Sequence, residues 1–126
     1  MKKMTPEQKA QYLSTLKSVL MNHVGTGNKI GMGELYTRVI GEPWQHRIND
    51  TRAIRKLIET LQREEGLRIC SDSSGYWLAA TGSELTEYLA RQRKRALKIL
   101  AKEAKLRHIE LPKLLGQLAL DLGGAP

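Results

Sequence analysis

Residues with strong turn preferences divide the first 80 residues of the chain into three helical stretches and one hairpin. Residues 25–28 contain two glycines, Gly41 stands two residues before Pro43, and Gly66 closes the longest stretch. Glycine ends helices because it adopts left-handed backbone angles without steric cost, and proline lacks a backbone N–H donor. These breaks predict three successive helices before residue 66.

The first helix has a capping pattern and an apolar stripe. Thr5 can accept a hydrogen bond from the N–H of Gln8, and Pro6 suits the first helical turn because its missing N–H has no partner there. Apolar residues recur at helical spacing: Leu13, Leu16, Val19, Leu20 and Val24. After this helix, Lys29-Ile30 is long enough only for a strand stub.

The second and third helices follow in close succession. The second is predicted over Met32–Ile40, where Gly41 stops it. The third is predicted from Asn49 or Asp50, both good caps, to about Glu65. Its apolar stripe consists of Ile54, Leu57, Ile58 and Leu61.

A hairpin and a long helix complete the predicted elements. Residues 67–70 and 76–79 are short apolar strands around a polar turn at residues 71–75, and residues 84–108 form a fourth helix. The predicted fold class is mostly α with a small β-hairpin (α+β). It comprises a domain over residues 1–80, a long amphipathic basic helix over 81–109 and a flexible tail over 110–126.

Length and composition restrict the class of protein. Of its 126 residues, 40% are hydrophobic and 27% are charged, as in one soluble globular domain. One cysteine, Cys70, excludes an internal disulfide and suits a reducing cytosol. Residues 1–3 are basic, but residues 5–11 are polar where a signal peptide is apolar, and no apolar run reaches the ~18 residues of a membrane span. A cytoplasmic protein is therefore expected.

The net charge of +8 is concentrated in two segments. Residues 91–107 hold eight basic side chains against Glu103 alone, a net charge of +7. Residues 47–56 hold four against Asp50, a net charge of +3. A basic excess confined to two segments predicts a polyanionic partner that binds defined surfaces.

The element order resembles that of a known family. Helix, strand stub, helix, helix and hairpin over about residues 5–80 is the order of a winged helix-turn-helix. The segment Ile69-Cys70-Ser71-Asp72-Ser73-Ser74-Gly75-Tyr76-Trp77-Leu78 resembles the wing of small winged-helix proteins of phages and prophages. The resemblance implies a DNA-binding protein with its third helix in the major groove and the hairpin near the backbone or minor groove.

The third helix and the hairpin supply side chains for such contacts. Donors for base edges and phosphates are expected near the start of the helix: Arg47, Asn49, Thr51, Arg52, Arg55 and Lys56. Those expected at the hairpin are Arg68, Ser73 and Ser74. Asp50 departs from the pattern because phosphate repels a carboxylate, and it is interpreted as the helix cap or as an acceptor for a cytosine amine. A protein-docking module is the alternative to a DNA-binding one.

The fourth helix has a basic face and an apolar face. At about 100° per residue, its apolar side consists of Leu85, Leu89, Ala96, Leu100 and Ala104. Opposite them, Arg91, Lys94, Arg95 and Lys98 are expected to contact the DNA backbone. Anionic membrane and plain solvation are alternatives, and the absence of Trp and Phe from the apolar face disfavours the membrane. The apolar face is expected to pack on the hairpin domain or on a second copy, which gives a homodimer.

The segment after the fourth helix contains a short motif. Gln117-Leu118-Ala119-Leu120-Asp121-Leu122 resembles the hexapeptide by which bacterial replication and repair proteins bind the sliding clamp. The resemblance implies that Gln117 is a polar anchor and that Leu118, Leu120 and Leu122 fill hydrophobic subsites, in an extended segment. A short helix whose leucines pack on the protein body is the alternative.

Catalysis has no support in the sequence. His23, His46 and His108 show no metal-ligand spacing with each other or with Cys70. We therefore expect no enzyme activity, cofactor or metal. The leading hypothesis is a DNA-binding protein that acts in replication, in a bacterial host, through the sliding clamp. A dimeric transcriptional regulator and a clamp inhibitor without DNA binding are the alternatives.

Overall fold

The computed structural model describes residues 4–122, which form five α-helices and one two-stranded antiparallel sheet. The helices are α1 (Pro6–Leu20), α2 (Met32–Ile40), α3 (Arg47–Glu65), α4 (Gly82–Leu106) and α5 (Leu111–Asp121). The strands are β1 (Ile69–Asp72) and β2 (Gly75–Leu78). The predicted α+β class is confirmed. Within the described range, none of the helices combines the length and apolar composition needed to cross a membrane.

The chain divides into two compact units, Met1–Leu85 and Thr86–Pro126. The first unit contains α1, α2, α3 and the hairpin of β1 and β2. The second contains α5 and all of α4 except its first turn. The first unit thus ends at residue 85, whereas the predicted first domain ends at residue 80.

Apolar side chains of α1, α2, α3 and the hairpin form the core of the first unit. Its buried members include Leu16, Leu20, Leu35, Val39, Ile54, Leu57, Ile58, Leu61, Ile69 and Leu78. The stripe predicted for the third helix is therefore confirmed as the core-facing side of α3. The predicted capping of α1 is confirmed too, because Gln8 N donates to Thr5 Oγ1 and Thr5 N donates to Gln8 Oε1, both at 3.1 Å.

A third extended segment joins the hairpin. The Ile30 N–H donates to the Tyr76 carbonyl and the Tyr76 N–H donates to the Ile30 carbonyl, each at 2.9 Å. Ile30 therefore pairs with β2 on the edge that β1 leaves free, where the sequence predicts a strand stub. Gly75 permits this approach, since a Cβ atom there would lie 2.3 Å from the Ile30 carbonyl oxygen.

Several helix boundaries differ from the predicted ones, and α4 covers Gly82–Leu106 where residues 84–108 are predicted. α1 ends at Leu20, so Val24 lies outside the helix and forms a bridge with Leu78. α3 begins at Arg47, before both predicted caps, because the Asp50 side chain satisfies N–H groups that precede the helix.

The hairpin strands keep the predicted length but lie closer to the turn than predicted: β1 starts at Ile69 instead of residue 67, and β2 ends at Leu78 instead of residue 79. Asp72 pairs with Gly75, so only Ser73 and Ser74 connect β1 to β2. The Asp72 carboxylate accepts hydrogen bonds from the N–H groups of Ser74 at 2.8 Å and Gly75 at 3.2 Å. This local pattern favours a tight turn, because it pairs backbone donors that the strands leave unused.

The segment predicted as a flexible tail forms α5 instead. Pro112 lies in its first turn, where proline is tolerated, and Leu111, Leu114, Leu115 and Leu118 recur at helical spacing. Pro112 and Gly116 thus do not break the helix, and the segment has the helical conformation of the alternative, although Leu115, Leu120 and Leu122 are exposed instead of packed on the protein. Its buried leucine is Leu114. Residues 123–126 of the predicted tail, like the basic residues 1–3, lie outside the described range.

Candidate nucleic-acid interface

α3 presents a basic face opposite its apolar stripe. Ile48, Arg52, Arg55 and Glu59 are exposed and stand three or four residues apart, so they share one side of the helix. Within residues 4–122, the four basic residues at the start of α3 form no ion pair; they are Arg47, Arg52, Arg55 and Lys56. Their positive charge therefore remains available to an external anion.

The start of α3 and the tip of the hairpin border one groove of about 340 Å³. Three α3 side chains and two tip residues line it: Arg47, Thr51, Arg55, Ser73 and Ser74. Five residues predicted from separate parts of the sequence thus meet at one place. Guanidinium and hydroxyl groups on its two sides match the groups with which proteins hold a nucleic-acid backbone.

The other predicted residues of this unit lie outside the groove. Arg52 is exposed on the outer face of α3, and Lys56 follows one turn later, also exposed. Asn49 lines a second cavity, of about 770 Å³, between α1, α2 and the start of α3. Arg68 precedes β1 at the open end of the hairpin, so the length of β1, at about 3.3 Å per residue, separates it from the tip.

Trp44 forms part of the groove wall. Its Nε1 donates to Thr51 Oγ1 at 3.3 Å. Its ring lies against α2 at Gly33, where a Cβ atom would come within 2.9 Å of Trp44 Cε3. Thr51, predicted as a DNA-binding residue, therefore also holds Trp44 in place.

Asp50 caps α3 from inside the helix. Its side chain is buried, with 4% exposure, and Oδ2 accepts from the N–H groups of His46 at 3.0 Å and Gln45 at 3.2 Å. His46 is the N-cap residue itself, without a side-chain cap bond. The two predicted roles of Asp50 are therefore corrected: it caps by reaching back from the first turn of α3, and its carboxylate is buried, whereas an acceptor for a cytosine amine has to be exposed.

Asp50 also affects its neighbour Tyr36. Burial raises the pKa of Tyr36 to about 12, and the charge of Asp50 and its hydrogen bond with the phenol add to the effect. The acidic residue at the start of α3 is thus part of a buried polar pair. Its negative charge does not interrupt the exposed basic face.

The acidic residue at the hairpin tip is neutralised by a lysine. Lys29 Nζ forms an ion pair with the Asp72 carboxylate and lies 4.9 Å from the centroid of the Trp77 ring. The hydrogen bond from Lys29 is the main cause that lowers the pKa of Asp72. Asp72 therefore does not present an unpaired negative charge at the groove. In the sequence, Lys29 is predicted only as part of the strand stub, because it stands 43 residues from Asp72 and no spacing indicates that the two pair.

The second unit carries the other basic surface. Arg91, Lys94, Arg95 and Lys98 are exposed, and their spacing places them on one side of α4. The predicted apolar face of α4 is buried unevenly: Leu89 and Ala96 are exposed, Leu100 is half-buried and Ala104 is buried. Leu85, at the start of that face, is half-buried, so the part left open to solvent is the stretch with Leu89 and Ala96.

The hexapeptide motif lies at the end of α5. Gln117 is exposed, Leu118 is half-buried, and Leu120 and Leu122 are 67% and 84% exposed. Its backbone is helical as far as Asp121, and Leu122 N donates to Leu118 O at 3.0 Å. The residues are accessible, but they are not in the extended form that the resemblance implies.

Sequence reasoning missed Ile48, the most exposed large apolar residue of the described part of the first unit, at 74%. The signal was available, since Ile48 stands four residues before Arg52 and outside the apolar stripe.

Among residues 4–122, no group of three His, Cys, Asp or Glu residues is placed to hold a metal. Neither a protein-family model, nor a curated protein, nor a solved structure was found that matches the chain.

Proposed function

We propose that the first unit is a winged helix-turn-helix module that binds duplex DNA. The observation that carries this proposal is the groove in which Arg47 and Arg55 of α3 face Ser73 and Ser74 of the hairpin tip. A helix about 10–12 Å across fits the major groove of B-DNA, which is about 12 Å wide. With α3 in that groove, the tip meets the adjacent sugar–phosphate backbone.

The exposed residues of α3 divide by position. Arg52 and Arg55 point outward from the helix and are suited to base edges, where arginine pairs with two acceptors of guanine. Arg47, Ser73 and Ser74 are suited to phosphates, as is Lys56. Asn49 lies toward the other side of α3 and is suited to the flanking strand.

The basic side of α4 adds phosphate contacts without base specificity. Arg91, Lys94, Arg95 and Lys98 form a row of exposed cations in the second unit. Such a row strengthens binding to any polyanion and makes the affinity depend steeply on salt.

Fluorescence anisotropy on a labelled random-sequence duplex, over a salt series, tests the proposal. Arg52→Ala with Arg55→Ala is expected to weaken binding at least tenfold, and to reduce the slope of log K against log salt by about 1–2. Lys9→Ala with Lys17→Ala is the matched control, because both residues are exposed on α1, away from the groove, and the loss of charge is the same. Equal effects of the two double substitutions would indicate only non-specific charge attraction. The absence of salt-dependent binding would reject the proposal.

A second candidate function is contact with the bacterial sliding clamp during DNA replication, favoured by the exposure of Leu120 and Leu122. An extended motif requires α5 to unwind from Gln117 onward. Because the buried Leu114 precedes that point, unwinding releases only the half-buried Leu118 from the protein. Opening of a helix end with few buried contacts requires little free energy.

Clamp capture on beads tests this second function. Gln117→Ala with Leu120→Ala is expected to abolish capture. Leu115→Ala, in the same helix but outside the motif, is expected to retain it. Capture that survives the double substitution would return residues 117–122 to a structural role.

The alternatives differ in oligomeric state and in DNA binding. A dimeric transcriptional regulator is favoured by the exposed Leu89 and Ala96 on the apolar face of α4. It requires a dimer in light scattering that Leu89→Glu converts to a monomer. A clamp inhibitor requires capture by the clamp with no effect of Arg52→Ala and Arg55→Ala.

A further inference from the structure

We propose that Ile48 determines base specificity by contacting the C5-methyl group of a thymine. The inference rests on the proposed function and names a chemical feature of the DNA that α3 reads. Ile48 lies in the first turn of α3 and is 74% exposed. It stands four residues before Arg52 and seven before Arg55, so the apolar side chain lies within the basic face.

The surroundings of Ile48 favour DNA over a folding role. The core of the first unit draws on α3 from Ala53 onward, and Ile48 is not among its buried or partly buried members. An exposed isoleucine at the N-terminal end of this basic face therefore contributes little to the stability of the unit. We expect the Ile48 side chain to contribute to binding free energy instead, because it is removed from water when the basic face binds a polyanion.

Duplex DNA offers one apolar group in the major groove, the C5-methyl group of thymine. The residues beside Ile48 on α3 are cationic and polar, which suits phosphates and the acceptors of guanine. An aliphatic side chain at this position has only the thymine methyl group as an apolar contact. Burial of one methyl-sized group corresponds to about a three- to fivefold change in affinity.

Replacement of thymidine by deoxyuridine isolates this contact, because it removes the methyl group of the base and keeps every hydrogen-bonding group of the base pair. Duplexes are first selected from a random pool with the purified full chain. In the selected site, each thymine is then replaced in turn, and affinities are measured by anisotropy. At one position the wild type is expected to bind the deoxyuridine duplex about three- to fivefold more weakly. Ile48→Ala is expected to bind both duplexes equally.

Two further variants serve as controls. Met21→Ala removes another exposed apolar side chain of the first unit, at the end of α1, and is expected to keep the thymine preference. Ile48→Val keeps a branched side chain and is expected to keep most of it. Ile48→Ala is expected to fold, because alanine is the stronger helix former at an exposed position.

The outcomes separate this inference from the proposed function. Three results would overturn the role of Ile48 and leave DNA binding intact, provided that the duplex is bound in a salt-dependent way. They are the absence of a thymine preference, a selected site that lacks thymine, and a thymine preference that survives in Ile48→Ala. Absence of salt-dependent duplex binding would overturn both.

Discussion

Lys29 and Asp72 form an ion pair that ties the segment before α2 to the tip of the hairpin. The same ammonium group lies against the Trp77 ring, whose side chain is buried and donates from Nε1 to Glu84 Oε1 at 2.9 Å. Ile30, the next residue, pairs with Tyr76 on the edge of β2. The position of the tip relative to α3 therefore depends on contacts from the strand stub as well as on the hairpin itself.

The first prediction concerns the acid dependence of this ion pair. Lys29 holds the pKa of Asp72 below its ordinary value of 3.8 in the folded protein. Ionised Asp72 thus contributes stability that is present above pH 3.8 and is lost as the pH falls through the lower folded-state pKa. At neutral pH, Asp72→Asn is expected to reduce the free energy of unfolding by up to about 1 kcal/mol. Chemical denaturation at several pH values should show this difference shrink in acid.

A second substitution at the same position separates the effect of the ion pair from that of the hydrogen bond in the turn. In the Asp72→Asn variant, the side-chain amide oxygen still accepts the hydrogen bond from Ser74 N, whereas Asp72→Ala loses both the ion pair and that bond. Asp72→Ala is therefore expected to be less stable than Asp72→Asn by about 1 kcal/mol. Equal stability of the two variants would contradict the role of the carboxylate in the turn.

The second prediction concerns the close approach of two backbones at Gly75. A Cβ atom there would lie 2.3 Å from the Ile30 carbonyl oxygen and 2.8 Å from its carbon, neither of which can move as a side chain does. Gly75→Ala is expected to reduce the free energy of unfolding by about 1–3 kcal/mol. Gly27→Ala, where a Cβ atom meets nothing within 4 Å, should change it by no more than about 0.5 kcal/mol. Thermal unfolding followed by circular dichroism compares the two.

The third prediction concerns the role of the hairpin tip in DNA binding. Ser74 lines the groove opposite Arg55, so Ser74→Glu places a negative charge where the proposal places a phosphate. The affinity for duplex DNA is expected to fall about five- to tenfold at low salt and by less at high salt. Ser14→Glu adds the same charge at an exposed position on α1 and is expected to have a small effect. An equal loss in both variants would remove the tip from the interface.

Local signals predicted the elements that are determined by neighbouring residues. Gly41 ends α2 where the sequence predicts it, in the left-handed conformation, and the Thr5–Gln8 pattern caps α1. The Lys29–Asp72 pair joins residues 43 positions apart, and no period or spacing indicates such a contact. The start of α3 was misplaced for a related reason: an aspartate before an apolar stripe indicates a cap, but it does not show from which position the side chain caps.

For the candidate interface, the residue types could be predicted from the sequence, but their arrangement in space could not. Charge counting identified Arg47, Arg52 and Arg55, because a short segment with four basic residues and one acidic residue stands out in a sequence. That Thr51 faces Ser73 and Ser74 across one groove depends on how the hairpin packs beside α3, which only the folded chain determines. The α5 helix was predicted as a tail because Pro112 and Gly116 indicate breaks. Proline in a first turn does not end a helix, and leucines at helical spacing outweigh one glycine.

The fourth prediction concerns the connection between α4 and α5. His108 has a φ of 56°, and no other non-glycine residue in the described range has a positive φ. The left-handed conformation costs an ordinary residue about 1–2 kcal/mol, and glycine avoids most of this cost although it loses more entropy on folding. His108→Gly is therefore expected to raise the stability of the second unit by up to about 1 kcal/mol. Lys105→Gly, in the last helical turn of α4, is expected to lower it by a similar amount. Thermal unfolding of the full chain, followed by helical circular dichroism, measures both variants. A fall in stability for His108→Gly would mean that the imidazole contributes more than its backbone conformation costs.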